Sequence, residues 1–249
     1  MTSPPKSLDL LARDLDGNLP GSDAQYRMAP DHRAGPEVTA HPPSDARQAA
    51  VLILLYPQAD NAQAHTDSAR TRTSLANDRK ATPVNTPTSL HDFHIPMMLR
   101  PARSGPHSGQ ISFPGGAYEK AHDPDLQATA LRESEEELAI RPDEVQILGE
   151  LSQLYVPPSG YLVSPYVGWS AGRPDFVPDP REVDRILEIP LADLLDPTKR
   201  LSEEREIQRG LVRVPYFSFR EGDDEFKIWG ASAMILSELL AVIESLPAM

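Results

Sequence analysis

The chain has 249 residues, a length that fits one domain with additional segments or two small domains. Its formal net charge of −13 opposes binding to a nucleic-acid backbone, although bound cations could still bring a phosphorylated substrate to an acidic site. The sequence contains no cysteine, which excludes disulfides, thiolate zinc sites and cysteine nucleophiles. We expect a cytoplasmic protein without a membrane span, because the first residues lack a signal-peptide pattern and no apolar stretch approaches ~18 residues.

The first half of the chain alternates between polar stretches and short apolar runs. Residues 1–45 are rich in Pro, Asp, Ala and Ser, and we predict a flexible arm with one short helix, in LDLLARDL, packed on the body. The continuous apolar run AAVLILLYP at 49–57 predicts a buried strand. The polar stretch 58–92 predicts a disordered insertion, because it cannot bury enough apolar surface to order itself. IPMMLRP at 95–101 predicts a second strand, paired with the first as a hairpin.

The second half predicts further strands and two helices. GQISFPGG at 109–116 resembles a short strand that ends in a turn. Asp123 as N-cap and Pro124 at the first helical position predict a helix that stops before Pro142. Residues 227–246 predict an amphipathic helix, and further strands are expected at VQILGEL, YLVSPYVGW and ILEIPL. This alternation predicts one α/β layered domain over residues 46–249.

The candidate chemistry lies in RESEEEL, residues 132–138. Glu133, Glu136 and Glu137 have the spacing i, i+3 and i+4, which places their carboxylates on one helix face. Like charges on one face repel each other unless a cation lies among them, and oxygen ligands suit Mg²⁺ or Mn²⁺. Arg132 is positioned to pair with one carboxylate and fix its orientation. The simpler interpretation of a glutamate run is a solvated helix face.

The sequence that precedes this glutamate run favours the metal site over a solvated helix face. FPGG at 113–116 followed by RESEEE at 132–137 resembles the Nudix box, G-x5-E-x7-R-E-U-x-E-E-x-G-U, in which U is a bulky aliphatic residue. The flanking segments 107–112, 154–161 and 228–233 resemble one Nudix subfamily, the coenzyme A pyrophosphatases. The resemblance implies a Nudix-type α/β/α sandwich with a mixed β-sheet between helices.

The sequence also departs from the box. The stretch from Gly116 to Arg132 is two residues longer than the general pattern, and the loop glutamate position falls near His122 or Asp123, with Glu119 as an alternative. Ala139 occupies the position of the glycine that follows the glutamates, and Ser134 replaces the usual aliphatic residue.

The resemblance implies metal-dependent hydrolysis of coenzyme A, or of an acylated form, to 3′,5′-ADP and 4′-phosphopantetheine. Glu133, Glu136 and Glu137 would hold Mg²⁺ or Mn²⁺ ions that activate the attacking water, with Arg132 as their orienting partner. Gly115 and Gly116 would let the backbone approach metal or phosphate, since neither has a side chain. Candidate phosphate-binding residues are Arg100 and Arg103, and Glu182 is either a surface residue or an additional ligand.

Two alternatives stay open. The same chemistry could act on NADH, ADP-ribose or another nucleoside diphosphate derivative. Alternatively, the chain could be a Nudix-fold binding module that lacks catalysis, for which the lengthened loop and Ala139 would be the signs. The expected partner is a small nucleotide in either case, with no nucleic acid or membrane. The sequence leaves the oligomeric state open, with a homodimer among the expectations.

Overall fold

The computed structural model describes residues 4–31, 33, 35, 41–58, 87, 89–102, 109–207 and 210–247. In this part of the chain a mixed sheet lies between helices, which confirms the predicted α/β sandwich. Its strands are β1 Arg47–Pro57, β2 Phe93–Leu99, β3 Ile111–Ser112, β4 Gly115–Ala117, β5 Gln146–Glu150, β6 Leu154–Val156, β7 Tyr161–Trp169 and β8 Arg185–Pro190. The helices are α1 Lys6–Leu15, α2 Ser22–Gln25, α3 Leu126–Leu138, α4 Leu191–Leu195 and α5 Gly230–Ser245.

Strand β1 is the centre of the sheet. It runs parallel to β7 along most of its length. Near its start it pairs antiparallel with β4, where Ala50 faces Gly116. Near its end it pairs antiparallel with β2, where Tyr56 faces His94. The predicted antiparallel pairing of the first two strands is therefore confirmed, and the same central strand also supports the FPGG segment.

Alternate residues of β1 enter two separate apolar clusters, as expected of a strand buried on both faces. Leu52 and Leu54 pack in the cluster that contains Ala130 of α3. Ile53 and Leu55 pack in the cluster that contains residues of α1 and α5. Helix α3 and the pair α1 and α5 therefore cover opposite faces of the sheet.

A second, three-stranded antiparallel sheet precedes the last helix. Its strands are β9 Arg200–Ile207, β10 Gly210–Glu221 and β11 Asp224–Trp229, in the order β11-β10-β9. The prediction of one amphipathic helix over 227–246 is wrong at its start, because the first three residues belong to β11. The helix is also not amphipathic, since every residue from Ala233 to Leu240 is buried. It packs between the sheets and the N-terminal segment, so no broad polar face is needed.

The N-terminal segment carries the short packed helix that we expected, but described residues after this helix are also packed, unlike the flexible arm predicted over residues 1–45. Leu8 and Leu11 of α1 are completely buried, because α1 presents an apolar stripe at helical spacing to β5 and α5. Farther along, the buried carboxylate of Glu238 accepts hydrogen bonds from the backbone N–H of Gly21 and from Gln25 Nε2. The described part of this segment is thus packed on the body, while a domain boundary at residue 46 remains a prediction.

The predicted insertion, residues 58–92, falls mostly outside the described residues. At its end, Leu90–Asp92 form a 3-10 turn closed by a capping box from Ser89, and β2 begins at Phe93. Among the described helices, none has the length and hydropathy needed to cross a membrane.

Candidate active site

Helix α3 carries the candidate carboxylates and begins later than predicted. Its N-cap is Asp125, whose side chain accepts a hydrogen bond of 2.8 Å from the backbone N–H of Ala128. The prediction of Asp123 as N-cap is wrong, because that side chain binds Arg132 and Thr129 instead. The helix ends at Leu138, before Pro142 as expected.

Glu137 is the most deeply placed of the three glutamates. Its Oε2 accepts the backbone N–H of Gly115 at 2.8 Å, and its Oε1 lies 3.5 Å from Arg100 Nη2. Burial raises the pKa of Glu137 to about 7; the Gly115 hydrogen bond and Arg100 oppose this rise, and the charges of Glu133 and Glu182 add to it. A buried carboxylate beside two others is an arrangement that a bound cation would stabilise.

Glu133 lies against the glycine pair. A Cβ placed on Gly116 would be 2.4 Å from the Glu133 carboxyl carbon, so only glycine leaves room for this carboxylate at β4. Burial raises the pKa of Glu133, and the ion pair with Arg132 at 2.9 Å opposes the rise only in part. The two glycines of the FPGG segment begin strand β4 instead of a terminal turn, and Gly115 and Gly116 lie against Glu137 and Glu133.

Arg132 connects several acidic residues. Its guanidinium binds Asp123 at 2.8 Å, Glu133 at 2.9 Å and the exposed Glu136 at 3.2 Å. Hydrogen bonds from Arg132 hold the pKa of Asp123 well below its usual range. Arg132 thus orients two candidate ligands, as the sequence suggested, while Asp123 fixes Arg132 from the buried side.

Of the two arginines predicted to bind phosphate, the structure describes one. Arg100 follows β2 and lies at the site, where its Nε donates to Ser112 Oγ at 3.2 Å and its Nη2 faces Glu137. Arg103 lies outside the described residues. Arg100 is therefore the cation that the described structure places beside the buried carboxylate.

Comparison with known sequences gives the family. The family model described as NUDIX domain matches residues 95–210. The chain is 38% identical over 143 residues to "Uncharacterized Nudix hydrolase NudL" of Pectobacterium atrosepticum, an alignment that covers 57% of this chain and 70% of that protein. The chain belongs to the Nudix hydrolase family.

The chain is also similar to a plant protein and to solved structures. The chain is 33% identical over 158 residues to "Nudix hydrolase 15, mitochondrial" of Arabidopsis thaliana, covering 63% of this chain and 55% of the plant protein. It thus spans about half the length of that relative. Among solved structures, a Nudix hydrolase from M. Smegmatis, RenU, matches 82% of this chain and 89% of its own at 13% identity and a TM-score of 0.47.

The structure accounts for two departures from the Nudix box. Asp123 reaches Arg132 from the lengthened loop, and neither His122 nor Glu119 takes this role, since those two residues pair with each other at 2.9 Å. Ala139 adopts a left-handed conformation with φ of 57°, which explains why the box prefers glycine there. The sequence placed this position near His122 or Asp123, and the contact with Arg132 selects Asp123, because loop length alone does not determine which residue reaches the arginine.

The donor set of this Nudix site fits a hard divalent cation. Glu133 and Glu137 offer carboxylate oxygens, and the exposed Glu182 is close enough for its charge to raise the pKa of both. In the described residues no three acidic or histidine side chains converge as a ready metal cluster. The reason is visible in the contacts, since Arg132 and Arg100 occupy the carboxylates.

Proposed function

We propose that this chain hydrolyses the diphosphate linkage of a nucleoside diphosphate derivative, and that its substrate is coenzyme A. The observation that carries the proposal is the buried Glu137, held by the Gly115 N–H beside Glu133 and Glu182. Glu133, Glu137 and Glu182 are the residues that would hold Mg²⁺ or Mn²⁺, with Glu136 at the exposed margin. When bound, such an ion neutralises the diphosphate and activates a water molecule.

The protein's own residues supply position and charge. The Gly115 N–H fixes the direction of the Glu137 carboxylate, and Arg132 fixes Glu133 and Glu136. Arg100 offers a guanidinium beside these carboxylates that can pair with a phosphate oxygen of the substrate. Such preorganised charges are the main source of catalysis in phosphoryl-type reactions, because they need no rearrangement during the reaction.

Two of the flanking segments support coenzyme A as the substrate. Residues 154–161 lead into β7. The first residue of β7, Tyr161, pairs with Arg47 of β1, and two positions farther along β1 the next strand, β4, pairs through Ala117. Residues 228–233 lie against the lead-in strand, where Ser232 Oγ donates to the Ile111 carbonyl at 2.9 Å. Both of these segments, which carry part of the subfamily resemblance, therefore contact strands next to β4 in the sheet or in the chain: β1, which pairs with β4, and β3, which precedes it. A cytoplasmic location and a homodimer remain predictions.

The test is incubation of the full chain with coenzyme A, with and without Mg²⁺ or Mn²⁺, followed by product identification by mass. We expect metal-dependent 3′,5′-ADP and 4′-phosphopantetheine, and a loss of at least about 100-fold in rate for Glu137→Gln. The matched control is Glu135→Gln, which removes an exposed glutamate of the same helix and should keep activity.

The other outcomes separate the alternatives. Cleavage of NADH or ADP-ribose without cleavage of coenzyme A would support the proposed catalytic site but contradict coenzyme A as the substrate. Tight nucleotide binding with no hydrolysis under any metal condition would favour a binding module, in which the pairing of Arg132 with Glu133 and Glu136 is a permanent structural feature. Full activity of Glu137→Gln would reject the proposed site.

A further inference from the structure

A cavity of about 500 Å³ lies away from the acidic site, between α5, the 3-10 turn Tyr26–Met28 and the β9–β10 pair. Three arginines line it, Arg27, Arg200 and Arg213, together with the hydroxyl of Ser202. No acidic residue is among the described residues that line it. This concentration of positive charge is unexpected in a chain with a net charge of −13.

The three guanidinium groups retain free hydrogen-bonding capacity. Within the described residues Arg27 has no hydrogen bond or ion pair, and the Nε of Arg200 is buried without a partner. Arg200 pairs through Nη2 with Glu244, and Arg213 Nε donates to Ser202 Oγ at 3.1 Å. Guanidinium groups prefer planar or tetrahedral oxyanions that accept several N–H bonds at once.

Few carboxylates compete for these arginines. Within the part of the chain that the structure describes, Glu244 pairs with Arg200 and with no other cation. Glu204 faces Arg213 across the β9–β10 ladder, yet the two side chains form no ion pair. Of the three arginines, Arg200 alone forms an ion pair within the described residues, so two positive charges are left for an incoming anion.

The cavity is separate from the candidate catalytic carboxylates. Its apolar lining includes Met28 and Phe217, which belong to the cluster on the α1 and α5 face of the large sheet. Helix α3 packs on the opposite face, with Ala130 and Leu138 in the other cluster. The large sheet therefore stands between the arginine-lined cavity and the glutamates.

We propose that this cavity binds a phosphate monoester that carries an apolar group. The three arginines and Ser202 provide donors for the phosphate oxygens, and the exposed side chain of Leu201 in the lining provides a surface for the apolar group. A phosphate dianion matches the surplus of positive charge better than a single carboxylate does, because it offers more acceptor oxygens to the guanidinium forks.

The experiment is calorimetric titration of the full chain with phenyl phosphate at low salt in the presence of EDTA, so that binding is read without hydrolysis. We expect one saturable site and tighter binding of phenyl phosphate than of inorganic phosphate. Arg27→Gln and Arg213→Gln should each weaken binding about tenfold or more, the usual effect of losing a charge-assisted hydrogen bond. The control is Arg220→Gln, an exposed arginine of the same strand β10 outside the cavity.

Thermal unfolding of each variant accompanies the titrations. Arg27 makes no described side-chain contact, so Arg27→Gln reports binding even if Arg213→Gln destabilises the hairpin. Absence of saturable binding to the wild-type chain overturns the proposal. Equal weakening by Arg220→Gln overturns it as well, since it would indicate non-specific attraction to surface charge. Equal affinity for phenyl phosphate and inorganic phosphate would contradict the proposal that the cavity binds an apolar group together with the phosphate.

Discussion

Replacement of Gly116 by alanine tests the geometry of the acidic site with a single methyl group. The new Cβ would lie 2.4 Å from both the carboxyl carbon and Oε2 of Glu133, whereas ordinary van der Waals contact begins near 3.4 Å. The Glu133 carboxylate must therefore move by about 1 Å, and a displacement of that size at a reacting group lowers catalysis by about 100-fold.

Stability should change much less than activity. The atoms in conflict are the end of a flexible side chain, and the backbone of Gly116 does not need a positive φ. We expect the free energy of unfolding to stay within about 1 kcal/mol of the wild-type value. The matched control is Gly172→Ala, because a Cβ at Gly172 meets nothing within 4 Å and its φ is not positive.

The assay compares kcat/KM for coenzyme A in saturating Mg²⁺ with the urea unfolding curve of each variant. Gly116→Ala should lose activity and Gly172→Ala should lose neither activity nor stability. Wild-type activity in Gly116→Ala would refute the inference that the position of Glu133 matters. A loss of activity no larger than the fraction of unfolded protein would also refute this inference, because unfolding alone would then explain the loss.

Two further substitutions test the buried acidic residues. Asp123→Asn should lower the free energy of unfolding by about 2 kcal/mol near neutral pH, because Arg132 loses its buried partner. Arg132 holds the pKa of Asp123 below that of the unfolded chain, so this stabilisation is present above about pH 4 and is lost as pH falls through the lower folded pKa; urea unfolding in acid should show a smaller difference. Glu238→Gln replaces one of the oxygens that accept from Gly21, Gln25 and Ser152, and should cost about 1–3 kcal/mol. It should also speed proteolysis within residues 4–31, and wild-type resistance there would contradict the anchoring role.

Features that depend on local sequence could be predicted. The apolar run 49–57 identifies β1 because a strand buried on both faces needs no polar alternation. The spacing of the glutamates identifies the helix, since the 3.6-residue period is a property of the backbone, whereas the burial of Glu137 and the exposure of Glu136 depend on the neighbouring strands. Arg132 beside Glu133 and Glu136 follows from the same spacing.

Features that depend on distant contacts could not be predicted. The contacts of Gly21 and Gln25 require Glu238, more than two hundred positions away, so a polar composition suggested that the arm around its helix is mobile. Strand β9 has five charged residues among eight and becomes a strand because it pairs with β10. Asp123 and Asp125 are both good N-cap residues, so the sequence does not decide between them. Arg132 decides, because it engages Asp123 and leaves Asp125 to cap the helix.

The distribution of arginines limits where substrate recognition can occur at the acidic site. Arg132 is engaged by Asp123, Glu133 and Glu136, so it serves the carboxylates and has no free edge for a phosphate. Arg100 has one hydrogen bond to Ser112 and a longer contact with Glu137, so a ligand can recruit its guanidinium at small cost. In a chain with a net charge of −13, long-range attraction cannot bring a diphosphate to this site. Recognition must instead come from short-range contacts, of which Arg100 and a bound divalent cation are the two that the described residues support.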